Sequence, residues 1–149
     1  MVQLVKKDFE AAIKIFEGLL QKGVNKPEVY LVLATAQAQA DNLPKAEKTL
    51  QEGIAANKDS VALLMGLAKF YSDAKQLEKA QPAMRKVIEL QPDQPIHKFN
   101  LASLLWEEGR QAAAIDMVAD LLRRTDFEVG FDGNLTRREH AAAFNAVSA

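Results

Sequence analysis

Lys7-Asp8-Phe9-Glu10-Ala11-Ala12 comes back as Asp41-Asn42-Leu43-Pro44-Lys45-Ala46, and again as Lys75-Gln76-Leu77-Glu78-Lys79-Ala80. A fourth stretch, Gly109-Arg110-Gln111-Ala112-Ala113-Ala114, keeps the spacing but has Gln111 where the others carry a large apolar residue. Ala12, Ala46, Ala80 and Ala114 follow one another at intervals of 34 residues, and no insertion breaks the phase. A second marker, Leu33-Ala34, Leu67-Ala68 and Leu101-Ala102, is locked to the same period. Copies that hold phase in this way mark an array of like structural units, each burying its apolar face against its neighbours.

Each copy reads as two amphipathic helices joined by a tight turn. In the second helix the recurring alanine is followed four residues later by Phe16, Leu50, Met84 or Val118. Residues four apart share one helix face, so these pairs form a seam against the first helix. The first helix carries the Leu-Ala pair, whose small member lets a neighbouring helix come close. Pro27 and Pro95 stand at first-turn positions, and Asp59-Ser60 offers a cap to the helix that follows. The polar pairs Asp41-Asn42, Lys75-Gln76 and Gly109-Arg110 fit the turns between paired helices. Pro82, inside a second helix, removes one intrahelical bond and predicts a small kink or a shortened first turn.

The bulk numbers narrow the function classes. The chain has 149 residues, enough for one working core, with 48% hydrophobic and 26% charged residues and a net charge of −1. A large nucleic-acid footprint would show as a basic excess, which is absent. With no cysteine there are no disulfides and no thiolate metal sites. No apolar run approaches the roughly 18 residues of a membrane span, and Met1-Val2-Gln3-Leu4-Val5-Lys6 is too mixed for a signal peptide.

On the quoted residues the chain resembles the tetratricopeptide-repeat family, in which Leu, a small residue and then Ala-x-x-x-large recur in a helical hairpin. The resemblance covers residues 1 to 128. It implies an all-α fold, a right-handed α-solenoid of stacked antiparallel helix pairs. The units would be a partial copy at 1–26 and full copies at 27–60, 61–94 and 95–128, followed by a C-terminal segment at 129–149. The copies diverge: the family's early aromatic survives as Tyr30 but is Leu64 and Lys98 later, the later tyrosine stands only as Tyr71, and the closing proline only as Pro92. The related pentatricopeptide hairpins, which read RNA, have a longer period and usually a positive groove, and neither feature is present.

Both ends depart from the array. In register, Met1 falls in the middle of a first helix, and the second helix of that unit spans about 8 to 22 with Ile13, Phe16 and Leu20 on its apolar stripe. That stripe lacks a full partner and a polar cap, so the expectation is a longer array or pairing with another copy. At the other end Thr136-Arg137-Arg138-Glu139 has the capping-box form and predicts an alanine-rich capping helix over 136–147, with Phe127, Phe131 and Phe144 covering the last unit.

The resemblance also places a groove, lined by the first helices. Its positions are Glu28, Leu31, Thr35, Ala38 and Gln39, then Ala62, Met65, Lys69, Ser72 and Asp73, then Ile96, Phe99, Ser103, Trp106 and Glu107. Leu31, Met65 and Phe99 form an apolar row in this register, and Ile96, Phe99, Ser103 and Trp106 follow a one-face helical spacing. Outward apolar and aromatic residues of this kind anchor partners; the competing reading is that Phe99 and Trp106 are covered by the chain's own C-terminal segment or by another copy. The partner-binding groove is therefore read at Leu31, Thr35, Met65, Lys69, Ile96, Phe99, Ser103 and Trp106. The clamp by which related domains grip acidic chaperone tails needs Lys, Asn, Asn, Lys and Arg, where this chain has Leu31, Thr35, Gly66, Ile96 and Asn100.

Catalysis finds little to work with. His97 and His140 fall in different elements, Asp116 and Asp120 read as a solvated helix face, and no Gly-rich phosphate loop follows a strand. The expected function is a non-enzymatic scaffold or adaptor for a protein or peptide, without cofactor, metal, nucleic acid or membrane insertion. The alternatives are a self-assembly module working through its repeat ends, or a recruitment arm of a larger protein. The cytoplasm is the first expectation for its compartment, and the periplasm the alternative if an upstream signal was removed.

Overall fold

The computed structural model describes residues 2–124, 127–129 and 135–137. Seven helices come in order among them: α1 (Val2–Gln21), α2 (Pro27–Gln39), α3 (Leu43–Ala56), α4 (Val61–Asp73), α5 (Leu77–Leu90), α6 (Pro95–Glu107) and α7 (Gln111–Arg124). The chain divides into two compact units, 1–90 and 91–149.

The helices are as regular as the sequence period. Each of α2, α4 and α6 has 13 residues, and each of α3, α5 and α7 has 14. Pro27 and Pro95 occupy first-turn positions of α2 and α6, where a missing N–H costs nothing. Ser60 caps α4 by accepting from the Leu63 N–H, and Asn42 caps α3 by accepting from the Lys45 N–H.

The turns inside the hairpins share one design. Asp41, Lys75 and Gly109 all sit at positive φ (65°, 57° and 86°). The N–H after each reaches back five residues, from Asn42 to Gln37, Gln76 to Tyr71 and Arg110 to Leu105, at 2.9, 2.8 and 2.8 Å. With the companion bonds Asp41 to Ala38, Lys75 to Ser72 and Gly109 to Trp106, this is the Schellman closure of a helix C-terminus. Only Gly109 adopts that left-handed conformation without a Cβ penalty.

In the first unit the core gathers on Tyr30, Ala34, Ala46, Leu50 and Leu63, with Leu20, Ile54, Leu67 and Phe70 packed against it. Ala46 and Ala80, the residues that set the period, have no exposed surface at all, and Ala114 is buried in the second unit. A zero-clearance alanine is what lets paired helices approach, so the period is a packing requirement.

Three expectations meet a different outcome. The first helix does not begin near residue 8: α1 runs unbroken from Val2, through Lys7. Lys7 is in register with Asp41, Lys75 and Gly109, but there the chain stays helical and the hairpin turn is missing. Nothing in Val5-Lys6-Lys7-Asp8 breaks a helix, so the chain simply continues. Second, of the kink or shortened first turn expected at Pro82, the shortening does not occur: Pro82 lies inside α5, and α5 keeps the length of α3 and α7. Third, Thr136 does not start a helix. Two short strands, β1 (Phe127–Val129) and β2 (Leu135–Arg137), pair antiparallel with Glu128 opposite Thr136. A capping box is a four-residue pattern, and here the ladder takes its threonine; the rest of the expected capping helix, with Phe131 and Phe144, lies outside the described residues.

Candidate functional site

The first unit carries a concavity of about 360 Å³ between α2 and α4. Its wall comes from Leu31, Ala34, Thr35, Ala38 and Gln39 of α2, Gly66, Lys69, Phe70 and Asp73 of α4, and Leu50 of α3. Leu31, Thr35, Ala38 and Gln39 recur on α2 at spacings that keep them on one side of that helix, and Lys69 and Asp73 do the same on α4. Gly66 lets the Leu31 side chain lie close against α4 at the pocket wall. A Cβ there would stand 2.5 Å from Leu31 Cδ2, so any larger residue would push the Leu31 side chain across the opening.

The rim is polar. Lys69 Nζ donates to Asp73 Oδ1 and Oδ2 at 3.1 and 2.8 Å, an exposed pair one helical turn apart. The Thr35 hydroxyl donates to the Leu31 carbonyl at 2.8 Å, which commits its proton to its own helix and leaves its oxygen as an acceptor. The pocket can therefore take an apolar side chain inside, with an acceptor and an ion pair at its edge.

Of the eight residues read as groove-lining, the structure brings Leu31, Thr35 and Lys69 together. Met65 is exposed but does not line this pocket. Ile96, Phe99, Ser103 and Trp106 belong to the second unit, on α6, where Ile96 and Trp106 are exposed and Phe99 and Ser103 half-buried. Trp106 keeps 52% of its surface open. Ser103 repeats the habit of Thr35, its hydroxyl donating to the Phe99 carbonyl at 3.1 Å.

Sequence reading missed several residues. Gly66 gave no signal beyond a break in the apolar pattern. Gln37 is buried at 1% and accepts from the Thr49 hydroxyl at 2.7 Å, a polar pair inside the α2–α3 hairpin. His97 stands at the register position of Leu63, in the core of its own unit. Its Nε2 meets Gln91 Oε1 at 2.7 Å, while its Nδ1 has no partner among the described residues. The shared register with Leu63 and Val29 would have pointed to a core role.

A second, wider concavity of about 540 Å³ lies among α3, α4 and α5, lined in part by Ile54, Leu67, Tyr71, Lys79, Pro82 and Lys86. Pro82, unexplained by the repeat pattern, is part of its wall. Tyr71 donates to Glu47 Oε1 at 2.7 Å, and Lys79 Nζ sits 5.6 Å from its ring centre. Burial first, and then the bond to Glu47, lift the Tyr71 phenol above its ordinary value. Lys86 is raised by its bond to Glu89. Among the described residues no group of three His, Asp or Glu side chains could hold a metal, and no helix is long and apolar enough to cross a membrane.

Paired helices of constant length, a closed turn between them and a fixed alanine seam define a helical-hairpin repeat. Two sequence families, each described as tetratricopeptide repeat, match residues 6–70 and 65–128, and the chain belongs to the tetratricopeptide-repeat proteins. No curated protein matches the sequence. Solved structures share the fold: MamA from Desulfovibrio magneticus RS-1 at 19% identity and TM-score 0.63, over 78% of this chain and 66% of that one. YrrB, described as a tetratricopeptide-repeat protein with an unusual peptide-binding site, aligns at 18% identity and TM-score 0.61, over 80% and 62%. A putative kinesin light chain from Podosopora anserina aligns at 14% identity and TM-score 0.61, over 82% and 70%. The chain thus spans just under two thirds of the length of the MamA and YrrB chains. Proteins of this family serve generally as protein–protein interaction modules, and this chain is an all-α repeat scaffold of that kind.

Proposed function

We propose that the chain is a non-enzymatic adaptor that takes a bulky apolar side chain of a partner peptide into the Gly66 pocket, with the flanking peptide running over Thr35 and the Lys69–Asp73 pair. The observation that carries this reading is the pocket itself, whose lining unites Leu31, Thr35 and Lys69 around a residue with no side chain. The peptide-binding site named for YrrB belongs to that protein, but it supports the reading as one use of the fold. On α6 the exposed Ile96 and Trp106 offer the same chemistry to a partner and are proposed as a second contact.

The test is selection from a displayed random-peptide library against the intact chain, followed by titration of selected peptides against Gly66→Leu. This change fills the pocket at a helical site where leucine is a better helix former than glycine, so the fold should survive. Peptides with a recurrent apolar anchor that lose binding at least tenfold to Gly66→Leu would support the pocket. Selected peptides that bind the filled variant as well as the parent would remove it as the site.

A further inference from the structure

The seam that second helices present to first helices is occupied in α3 and α5 and open in α1. In α3 the four seam positions are Ala46, Thr49, Leu50 and Gly53, and all are buried. In α5 they are Ala80, Ala83, Met84 and Val87, again all buried. The same register in α1 falls on Ala12, Ile15, Phe16 and Leu19, and none of these is buried. Ile15 is 63% exposed, against 5% for Thr49 and 6% for Ala83. One flank of α1 is already used, since Leu20, a turn beyond Phe16, packs on the core around Tyr30. Residues 2–7 do not fold back across the seam, because the hairpin turn is missing and the helix runs straight on.

The geometry points to a second copy of this chain as the occupant, its α1 antiparallel to the first with Ile15 near the two-fold axis. The charges on α1 choose both partner and orientation. Asp8, Ile15 and Lys22 lie seven residues apart and so share one face, and the Lys22 N–H still bonds the Gly18 carbonyl at 3.2 Å, in helical phase. Antiparallel pairing about Ile15 sets Asp8 of each copy against Lys22 of the other; parallel pairing would oppose like charges. Ala12 then faces Gly18, and a Cβ at Gly18 would meet nothing within 4 Å, so two helices can approach closely there. Such a contact is isologous and closes on itself as a dimer. It lies on a different helix from the peptide pocket and does not rest on that reading.

Sedimentation equilibrium of the whole chain, from micromolar to millimolar, should show a species of twice the 16.4 kDa chain mass. Ile15→Asp, at a side chain the single chain leaves mostly exposed, should abolish that species while circular dichroism stays unchanged. Asp8→Lys or Lys22→Asp alone should weaken association by about tenfold, and the two together should restore it. Because the chain has no cysteine, Ile15→Cys should join two copies through one disulfide under mild oxidation. A chain that remains monomeric at millimolar concentration overturns the proposal, as does a dimer indifferent to Ile15→Asp. Single charge reversals that weaken the dimer without mutual rescue overturn its antiparallel arrangement.

Discussion

The hairpins at 27–60 and 61–94 occupy the same register with different side chains, and the differences come in matched pairs. The position filled by Tyr30 in the first is Leu64 in the second, and its companion on the other helix goes from Gly53 to Val87. A Cβ on Gly53 would stand 2.8 Å from both Cβ and Cγ of Tyr30, so the tyrosine ring is accommodated by the absence of a side chain opposite. A smaller partner at 64 goes with a larger one at 87. Likewise Gln37 and Thr49, hydrogen-bonded to each other, are replaced in register by Tyr71 and Ala83, and the tyrosine finds its acceptor on Glu47 instead. The two hairpins trade size between the members of a pair and give each buried hydroxyl an acceptor, without keeping residue identity.

The sharpest way to break this comparison is Gly53→Val. The new methyls meet the root of the Tyr30 side chain, which cannot swing aside, and we expect a loss of about 2–3 kcal/mol in urea unfolding. Adding Tyr30→Leu transplants the pair found at 64 and 87, and should recover most of that loss, short of the Tyr30 bond to Asn25. A double variant no better than Gly53→Val would show that volume is not traded within the pair.

Next in size, Thr49→Val leaves the buried Gln37 oxygen without its donor and should cost about 1–2 kcal/mol, while Gln37→Leu with Thr49→Val together should be close to neutral. Importing the other hairpin's solution, Gln37→Tyr with Thr49→Ala, should fail. Ile13 stands where Glu47 would be needed, so the new phenol would be buried without an acceptor.

The smallest effect concerns pH. The fold raises the Tyr71 phenol above its ordinary 10.0 and so favours the neutral form. Its contribution is fully present below pH 10 and is lost as pH rises through the higher folded value. Thermal unfolding followed from pH 9 to 11 should therefore fall less steeply for Tyr71→Phe than for the parent. Equal slopes would show that Glu47 and burial do not hold that proton.

The helix pattern was legible because a single strong period fixed it: the alanines at 46, 80 and 114 mark where helices touch, and that demand leaves no freedom. Part of the candidate site was legible for the same reason, since Leu31, Thr35 and Lys69 follow from register alone. Gly66 did not, because the information there is a missing side chain, whose meaning depends on what Leu31 does across the gap. Gln37 and Thr49 are polar residues that sequence patterning assigns to the surface; only their mutual bond makes them interior. At the ends the period stops and local pattern has to decide, and there it erred. Lys7 shares the register of three turns without turning, and Thr136 carries a capping signature inside a strand.

The complementary pairs also bear on how such an array can be cut and rejoined. Tyr30 and Gln37 lie on α2, while Gly53 and Thr49 lie on α3. A recombination breakpoint in the turn at 40–42 would separate both pairs and mate a tyrosine with a valine. A breakpoint at 57–60 would carry each pair across intact. The unit that gene duplication can copy or exchange without unfolding its host is therefore the hairpin rather than the helix, and chimaeras cut at the two places should differ accordingly in whether they fold.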